Sequence, residues 1–486
     1  MTKDALDITM SAIKAVDPSK AVQSHLEVTN SEMKLLDRST GNTYSYYLAN
    51  YDSIFISAFG KAASSMALST AQIIASGQTL DNVPVSIRGI VITKDDHASE
   101  EQIQELASYN IKLHFASHPI PDERSIAHSK DLLAELDSLD ERTLVVNCIS
   151  GGGSALFCAP TEPLDLSHMT RLSQSLLSCG MPITEMNVLR KKVELGKGGG
   201  LVETAHPAKC VTMVLSDVIG DPLDLIASGP SVKDRSSWSE ACELVERYGL
   251  GDGGKYGLPI EILSILKEGK DFEGAIQDEP MLQQEEDNVF DASKTVLVGN
   301  NALAVSAAAL EAKRLGYNPV VIGTTIEGEA VDIANMYVSM AQEIQLQRTN
   351  PTRSIFPPAQ LPVALIAGGE TTVTLTANSG KGGRNQEIGL AAGLKMRANN
   401  LRDIVIASVG TDGTDGPTDA AGAVVDGSTI DRVELDNNGT FKGHDALRKH
   451  DAYSFFDTCA SKENSALVFT GATGTNVADV CVTLIK

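Results

Sequence analysis

The sequence predicts an α/β protein whose first domain contains a parallel sheet and whose second, smaller α/β domain contains a mixed sheet. Three observations lead to this prediction. Short apolar runs alternate with helical patterns, as in parallel sheets covered by helices on both faces. The apolar runs are nearly continuous, as in strands that are buried on both sides. The chain has 486 residues, whereas single hydrophobic cores stop growing at about 250–300 residues.

The parallel sheet is predicted from the first half of the chain. The run SIFISAF at 53–59 predicts a strand, and the residues after it predict a helix. Further apolar runs predict strands at 88–93, 111–117, 143–150 and 210–218. Helical patterns separate these runs, so we expect successive strands to be parallel.

A change of composition indicates the domain boundary. Residues 270–291 are acidic and show no clear period, which is typical of a linker or a surface excursion. We therefore predict domains at 1–290 and 291–486. The second α/β pattern begins with a predicted strand at 295–300, and two adjacent β-rich runs around Gly368–Thr372 predict a β-hairpin.

Charge and cysteine content disfavour several classes of protein. The formal net charge is −23, which argues against binding to nucleic acid or to an anionic membrane surface. The seven cysteines are dispersed and include no CxxC pair, which is typical of free thiols in a reducing compartment. The N-terminus has an amphipathic helical pattern without signal-peptide features, and no apolar run is long enough for a membrane span. We expect a cytoplasmic protein.

Conventional nucleotide-binding motifs are not supported. The segment GLGDGGK at 249–255 has the spacing of a P-loop, but Tyr256 stands where a Ser or Thr would hold Mg²⁺. A helical pattern rather than a strand precedes the segment. We therefore predict an ordinary loop, and neither a Walker ATPase nor a standard dinucleotide-binding fold.

Candidate anion-binding residues follow two predicted strands of the first domain. Lys61, in FGKAA, lies where a helix begins, and free N–H groups at a helix N-terminus favour anions. The segment SGGGSALF lets the backbone approach a ligand closely and offers a nest of N–H donors. Its candidate residues are Ser150, Gly151, Gly152, Gly153 and Ser154. An ordinary turn beside a solvated lysine is the alternative for each motif taken alone.

Further charged residues stand beside glycines in both domains. Arg190 and Lys197 belong to a basic cluster next to Gly198–Gly200, for which a solvated helix face is an equal alternative, and Asp217 ends a predicted strand. In the second domain, Glu370, Arg384 and Asn385 surround another glycine loop. We expect these residues to contact a substrate or a nucleotide.

Asp412 and Asp415 lie on the glycine-rich segment VGTDGTDGPTDAAG. Carboxylates on a flexible loop suit Mg²⁺, which usually takes one or two protein carboxylates together with phosphates and water. The segment therefore predicts a metal site, with an Asp/Gly turn as the alternative. Lysine and glycine loops, a metal and a positioned hydroxyl are together what phosphoryl transfer requires.

These blocks resemble the class II glycerate 2-kinases, whose C-terminal region is called the MOFRL domain. The resemblance runs from about residue 5 to the C-terminus, and its motifs are FGKAA, SHPIPDERS, CISGGGSALF, LSDVIGDPLDLIASGP, GGETTVTL, GKGGRNQE, GTDGTDGPTDAAGA and TGATGTNVADV. It implies a Rossmann-like N-terminal domain, a smaller C-terminal MOFRL-type domain and a site in the cleft between them. Lys192–Glu194 and Ala472 depart from the usual family pattern.

The resemblance also implies an activity. It is the ATP-dependent, Mg²⁺-requiring phosphorylation of D-glycerate to 2-phosphoglycerate, with Lys61 and Arg384 as catalytic residues. We expect D-glycerate and ATP as ligands, a monomer or homodimer, and closure of the two domains during turnover. Arg384 is expected to grip a carboxylate or phosphoryl group with two hydrogen bonds, the alternative being an arginine that pairs with a nearby aspartate. A hydroxypyruvate reductase and a non-catalytic sugar-acid sensor are the competing functions.

Overall fold

The computed structural model describes residues 1–78, 85–276, 289–349, 361–459 and 465–486. They form two compact units. The N-terminal unit is Pro18–Val298, and the C-terminal unit combines Met1–Asp17 with Gly299–Lys486. These units differ from the predicted domains at 1–290 and 291–486, because residues 1–17 group with the C-terminal unit and residues 291–298 with the N-terminal unit.

The N-terminal unit alternates strands and helices. Its strands are β1 (Leu26–Thr29), β2 (Glu32–Asp37), β3 (Asn42–Tyr47), β4 (Ser53–Phe59), β5 (Ser86–Lys94), β6 (Ile111–Ala116), β7 (Thr143–Ser150), β8 (Lys209–Leu215) and β9 (Lys294–Gly299). The chain begins with helix α1 (Thr2–Ala15), and the N-terminal unit contains α2 (Pro18–His25), α3 (Ala63–Gln78), α4 (Glu100–Ser108), α5 (Glu123–Asp137), α6 (Gly153–Leu156), α7 (Leu166–Ser178), α8 (Ile183–Val193), α9 (Gly200–Ala205), α10 (Trp238–Arg247) and α11 (Ile260–Ile276).

The main sheet of the N-terminal unit has the strand order β6-β5-β4-β7-β8-β9. The ladders β5–β6, β4–β5, β4–β7 and β7–β8 are parallel, which confirms the predicted parallel sheet. This is the doubly wound order. Strand β4 lies in the middle, β5 and β6 follow on one side of it, and β7 to β9 follow on the other side. The three strands β1 to β3 form a separate antiparallel sheet.

Strand β9 corrects the predicted start of the second domain. The run at 295–300 was assigned to the C-terminal α/β pattern, but β9 adjoins β8 at the edge of the N-terminal sheet. Its inward residues Val296 and Val298 are buried there. An apolar strand next to an acidic segment carries no sequence mark of the sheet that it joins.

The C-terminal unit is built on a mixed sheet. Its strands are β10 (Asn318–Ile326), β11 (Val363–Gly369), β12 (Ile404–Gly410), β13 (Gly422–Asp426), β14 (Leu467–Val468) and β15 (Asp479–Ile485), in the order β10-β11-β15-β12-β13-β14. The helices after residue 299 are α12 (Asn301–Arg314), α13 (Ala330–Thr349), α14 (Arg384–Ala398), α15 (Thr429–Asp436), α16 (Gly443–Arg448) and α17 (Ala452–Asp457). Only the β10–β11 ladder is parallel among the ladders described, so the predicted mixed sheet is confirmed.

The predicted hairpin around Gly368–Thr372 is wrong. Strand β11 ends at Gly369 and pairs with β10 on one side and with β15 on the other. Both edges of β11 are therefore occupied, and the following residues cannot fold back beside it. Thr372 instead donates its N–H to the carbonyl oxygen of Gly328 and accepts from the N–H of Ala330, each at 2.9 Å.

Helix α1 packs in the C-terminal unit because its apolar face is buried there. Ala5, Ile8 and Ala12 are fully buried on one side of this helix, in agreement with its amphipathic pattern. The Tyr317 hydroxyl donates to Asp4 at 2.7 Å. The Thr475 hydroxyl donates to the carbonyl oxygen of Val16 at 2.6 Å. No helix in the described residues is long and apolar enough to span a membrane.

The centre of the parallel sheet provides a test of this packing. A methyl group built at Gly89 in β5 would lie 2.1 Å from the carbonyl oxygen of Ile56 in β4. We expect Gly89→Ala to lower the free energy of unfolding by about 1–3 kcal/mol, the usual range for overpacking. Gly251→Ala is the matched control, because nothing lies within 4 Å of that position. Urea unfolding measures both, and equal stabilities of the two variants would contradict the packing.

Candidate functional site

Two loops meet at the carboxyl ends of β4 and β7. These strands are parallel neighbours, with Phe59 opposite Ile149. The Lys61 N–H donates to the Gly151 carbonyl oxygen at 2.9 Å. The Ala62 N–H donates to Ser150 Oγ at 3.0 Å. The loops lie where the strand order reverses, which is the position at which open α/β sheets bind their ligands.

Glycine is required in these loops because other groups approach them closely. Gly60 has φ +123°, and a methyl group there would lie 2.3 Å from Ser150 Oγ. At Gly151 it would lie 2.0 Å from Asp217 Oδ2. At Gly152, which has φ +81°, it would lie 3.0 Å from His118 Nε2. The segment Gly151–Gly153 is called the glycine loop. The Asp217 side chain lies against Gly151, and the His118 side chain lies against Gly152.

The structure thus brings together several of the predicted residues. Lys61 joins the glycine loop through its own backbone, and its Cγ atom lies 3.4 Å from the methyl position at Gly152. The Asp217 carboxylate follows β8 and adjoins Gly151. A cation, a nest of backbone N–H groups and a carboxylate are therefore within one small region of the N-terminal unit.

The Lys197 ammonium binds protein groups next to the glycine loop rather than facing an open site. Its ammonium donates to Glu194 Oε1 at 2.7 Å and to the Ser154 carbonyl oxygen at 2.9 Å. The lysine and the glutamate are both buried. Ser154 Oγ lies 3.1 Å from Ser228 Oγ, which donates to Asn187 Oδ1 at 3.0 Å. In this arrangement Lys197 and Ser154 fix the shape of the glycine loop.

Arg190 differs from the other cations of its cluster. Lys191 and Lys192 form ion pairs with Asp234, at 3.5 Å and 2.8 Å. Arg190 is partly buried in the last turn of α8, one turn from Asn187, and no hydrogen bond or ion pair is recorded for it in the described part of the chain. The basic cluster beside the glycines consists of Arg190, Lys191, Lys192 and Lys197. Among the described residues, only Arg190 of this cluster has no protein partner, so it is the one available to a ligand.

His118 is a residue of this region that the sequence reasoning missed. It follows β6, so it also lies at the carboxyl end of the parallel sheet. Burial, together with the positive charges of Lys61 and Lys94, lowers its pKa from 6.5 to about 4. The signal was present in the sequence, because His118 is part of the SHPIPDERS block that contributes to the family resemblance.

The second group of predicted residues surrounds the N-terminus of α14 in the C-terminal unit. The Asp415 carboxylate accepts the N–H groups of Asn385 at 3.1 Å and Gln386 at 2.8 Å, so it caps this helix. Asn385 donates from its amide to Asp415 at 3.3 Å and accepts from the Ser408 hydroxyl at 2.6 Å. Burial raises the pKa of Asp415 to about 6.

Arg384 is held by two carboxylates. Its Nε and Nη2 atoms donate to the buried Asp479 at 2.6 and 2.9 Å. Its Nη1 atom lies 2.9 Å from Glu370 Oε1, and the Glu370 side chain is 45% exposed. Asp479 therefore fixes the plane of the guanidinium, while the third nitrogen points to a partner at the surface. The sequence left open that Arg384 would pair with a nearby aspartate instead of a ligand. Its Nε and Nη2 atoms do pair in this way, with Asp479.

The predicted metal ligands differ in what they bind. Both oxygens of Asp415 accept backbone N–H groups, so this carboxylate caps α14, and its role as a metal ligand stays a prediction. Asp412 accepts the Thr414 N–H through Oδ1 at 3.0 Å. Its carboxylate is a hard oxygen donor of the kind that Mg²⁺ prefers. No group of three or more His, Cys, Asp or Glu side chains in the described ranges could hold a metal by itself.

Comparison with known proteins identifies both parts of the chain. Residues 4–257 match the model described as "Domain of unknown function (DUF4147)". Residues 363–479 match the model of the MOFRL family. The two predicted centres, at the glycine loop and at α14, fall one in each matched region.

The chain is similar over its whole length to glycerate kinases. It is 34% identical to the D-glycerate 2-kinase of Thermotoga maritima, over 100% of this chain and 98% of the relative. It is 35% identical to the glycerate 2-kinase of Pyrococcus horikoshii, over 98% and 95%. Identity to the human glycerate kinase is 30%, over 100% and 93%. The crystal structure of the Thermotoga maritima glycerate kinase matches with a TM-score of 0.76 and 30% identity, covering 100% of this chain and 99% of that one.

The protonation state of His118 is directly testable. Because its pKa is lowered to about 4, we expect its imidazole to remain neutral between pH 8 and pH 5.5. Nitrogen-15 NMR of labelled imidazoles measures its protonation, with His118→Gln assigning the resonance. A His118 signal that titrates between pH 8 and pH 5.5 would contradict the description of this site.

The pairing of Arg384 with Asp479 gives a second test. Arg384→Lys keeps the charge but loses the planar fork, so the buried Asp479 carboxylate loses one of the two hydrogen bonds that it accepts from Arg384. We expect the free energy of unfolding to fall by about 1–3 kcal/mol. The control is Arg432→Lys, which changes an arginine that is 46% exposed and pairs with Asp426 at 3.2 Å. Chemical denaturation of the full chain measures both variants, and an unchanged stability of Arg384→Lys would mean that the fork contributes nothing to the fold.

Proposed function

Because the chain belongs to the glycerate kinase family, in its form with a C-terminal MOFRL domain, we propose that it transfers the γ-phosphoryl group of ATP to D-glycerate. The product we propose is 2-phosphoglycerate, in keeping with the two relatives that are named 2-kinases. The proposal rests on similarity along the whole chain and on the chemistry of the glycine loop.

The observation that carries the mechanism is the joining of Lys61 to the glycine loop at the centre of the parallel sheet. A phosphoryl group in transfer spreads negative charge over three oxygens, and catalysis consists mainly of positioning and electrostatic stabilisation. Backbone N–H groups of Gly151–Gly153 can surround such oxygens, and Lys61 can neutralise their charge. The chain offers this combination at the place where doubly wound sheets bind anions.

Asp217 is suited to act on the acceptor. Its carboxylate touches the glycine loop at Gly151. A carboxylate within reach of the attacking hydroxyl accepts its proton as the new O–P bond forms, as the catalytic aspartate of other kinases does. We assign this role to Asp217, and we assign Arg190 to an anionic group of the substrate or the nucleotide.

Arg384 is assigned to the same reaction through its third nitrogen. Asp479 holds two nitrogens of the guanidinium, whereas Nη1 pairs with Glu370, whose side chain is 45% exposed. A substrate carboxylate or phosphoryl oxygen can replace Glu370 there, because exposed ion pairs are weak. The two hydrogen bonds to Asp479 would then orient the guanidinium, and its Nη1 atom would donate one charge-assisted hydrogen bond to the substrate.

Mg²⁺ is proposed to arrive with ATP. It usually binds one or two protein carboxylates in addition to phosphates and water, and Asp412 offers one such carboxylate. The ion would supply positive charge at the phosphates. Asp415 is not part of this proposal, because its oxygens cap α14.

The competing functions lack a supporting observation. The glycine segment at 249–255 follows helix α10 rather than a strand, so it has the wrong context for a nicotinamide-binding fingerprint. The relatives named above are glycerate kinases, which does not favour a non-catalytic sensor. Both functions remain outcomes of the assay that follows.

We expect the purified protein to release ADP from ATP and Mg²⁺ when D-glycerate is present, measured by coupling ADP release to NADH oxidation. Lys61→Met should lower kcat by roughly two to five decades, because it removes the cation that stabilises the transferring phosphoryl group. Lys112→Met is the control, since that side chain is 67% exposed on β6. Phosphorus NMR of the product distinguishes the 2- from the 3-phosphate ester.

Two results would overturn this function, and a third would overturn its mechanism. Direct NADH oxidation with hydroxypyruvate, without ATP, would indicate the reductase. Binding of D-glycerate without turnover would indicate the sensor. A Lys61→Met variant with near-normal kcat would remove the glycine loop from the mechanism even if the kinase activity itself is found.

A further inference from the structure

His118 lies at the glycine loop on the same side as the Lys61 stem. A methyl group built at Gly152 would lie 3.0 Å from both Nε2 and Cδ2 of His118, and 3.4 Å from Cγ of Lys61. The imidazole edge, the lysine stem and the loop backbone therefore converge on one point. The phosphoryl transfer described above gives this ring no role.

The nitrogens of His118 have no recorded protein partner. Within the described ranges no hydrogen bond or ion pair involves this side chain, although its ring is only partly exposed. His97, the other histidine beside Lys61, is different, because its Nδ1 is 3.1 Å from the Lys61 carbonyl oxygen. His118 is therefore not committed to a protein partner among the described residues, and its Nε2 is available to a ligand at the glycine loop.

The charges around the ring determine which form of the imidazole would meet that ligand. Lys61, Lys94 and His97 face it, and burial acts in the same direction as their positive charge. The ring is therefore neutral at physiological pH, with one nitrogen as a donor and the other as an acceptor. A neutral donor adds a directional hydrogen bond beside Lys61 without adding another charge.

We infer that His118 is a further substrate-binding residue, whose Nε2–H donates a hydrogen bond to an anionic oxygen of the substrate held at the glycine loop. The identity of that substrate, D-glycerate or its phosphate ester, rests on the proposed function. The position of Nε2 beside Gly152 is an observation that does not depend on the proposed function. His118 then orients the anion that Lys61 neutralises, and a ring rather than an ammonium fixes the direction of the bond.

The test compares two substitutions of nearly equal size. Gln places an amide N–H near the position of Nε2, whereas Met fills the same space without a donor. We expect His118→Met to lower kcat/KM for D-glycerate by about 10- to 100-fold, the usual effect of losing a hydrogen bond to a charged group. His118→Gln should stay within about fivefold of the wild type, because it restores a donor. His444→Gln and His444→Met are the matched controls at an exposed histidine, and melting temperatures show that all variants fold.

A second readout is independent of turnover. Inorganic phosphate should raise the melting temperature of the wild type and of His118→Gln, and should raise that of His118→Met less, because ligands stabilise a fold according to their affinity. If the wild type does not phosphorylate D-glycerate, the proposed function fails and the phosphate readout alone decides the inference. Equal activities and equal phosphate shifts in the Gln and Met variants would overturn it. So would equal losses in both variants with unchanged melting temperatures, which would indicate that only the shape of the ring matters.

Discussion

The hydrogen bond from the Lys61 N–H to the Gly151 carbonyl oxygen is the constraint on which the rest of the site depends. It joins the ends of two neighbouring parallel strands so closely that a side chain at Gly60 would collide with Ser150. Asp217 reaches the glycine loop from the end of β8, which adjoins β7, whereas His118 reaches it from the end of β6, at the edge of the sheet beyond β5. Because the loop carries no side chains, the cation, the carboxylate and the imidazole can all approach its backbone.

Much of the N-terminal unit could be predicted because parallel sheets obey simple rules. Buried strands give continuous apolar runs, and the carboxyl ends of parallel strands meet at one edge, so Lys61 and Ser150–Ser154 could be placed together without coordinates. The role of Lys197 could not be predicted. Its partner Glu194 is only three residues away, and a lysine and a glutamate at this spacing give the same pattern on a solvated helix as in a buried pair. His118 was missed because a single histidine in a loop has no periodic pattern.

The C-terminal unit contains a contact that its sequence does not indicate. The Asp-rich segment predicts a metal site, which stays a prediction, and Asp415 also uses both of its oxygens to cap α14, some thirty residues earlier in the sequence. A cap of this kind cannot be found from sequence, because the usual N-cap residue lies directly before its helix. Likewise, α1 was predicted in the first domain but belongs to the C-terminal unit, and β9 was predicted in the second domain but belongs to the N-terminal unit. The apolar face of an element does not indicate which surface will cover it.

The central claim is that the glycine loop and Lys61 bind the transferred phosphoryl group. Crystals grown with tungstate, a heavy mimic of phosphate, test it most directly through the anomalous signal of the metal. The account predicts the strongest peak beside Gly151–Gly153, with an oxygen of the anion about 3 Å from the Lys61 ammonium. A strongest peak elsewhere in the N-terminal unit, with none at the glycine loop, would contradict it.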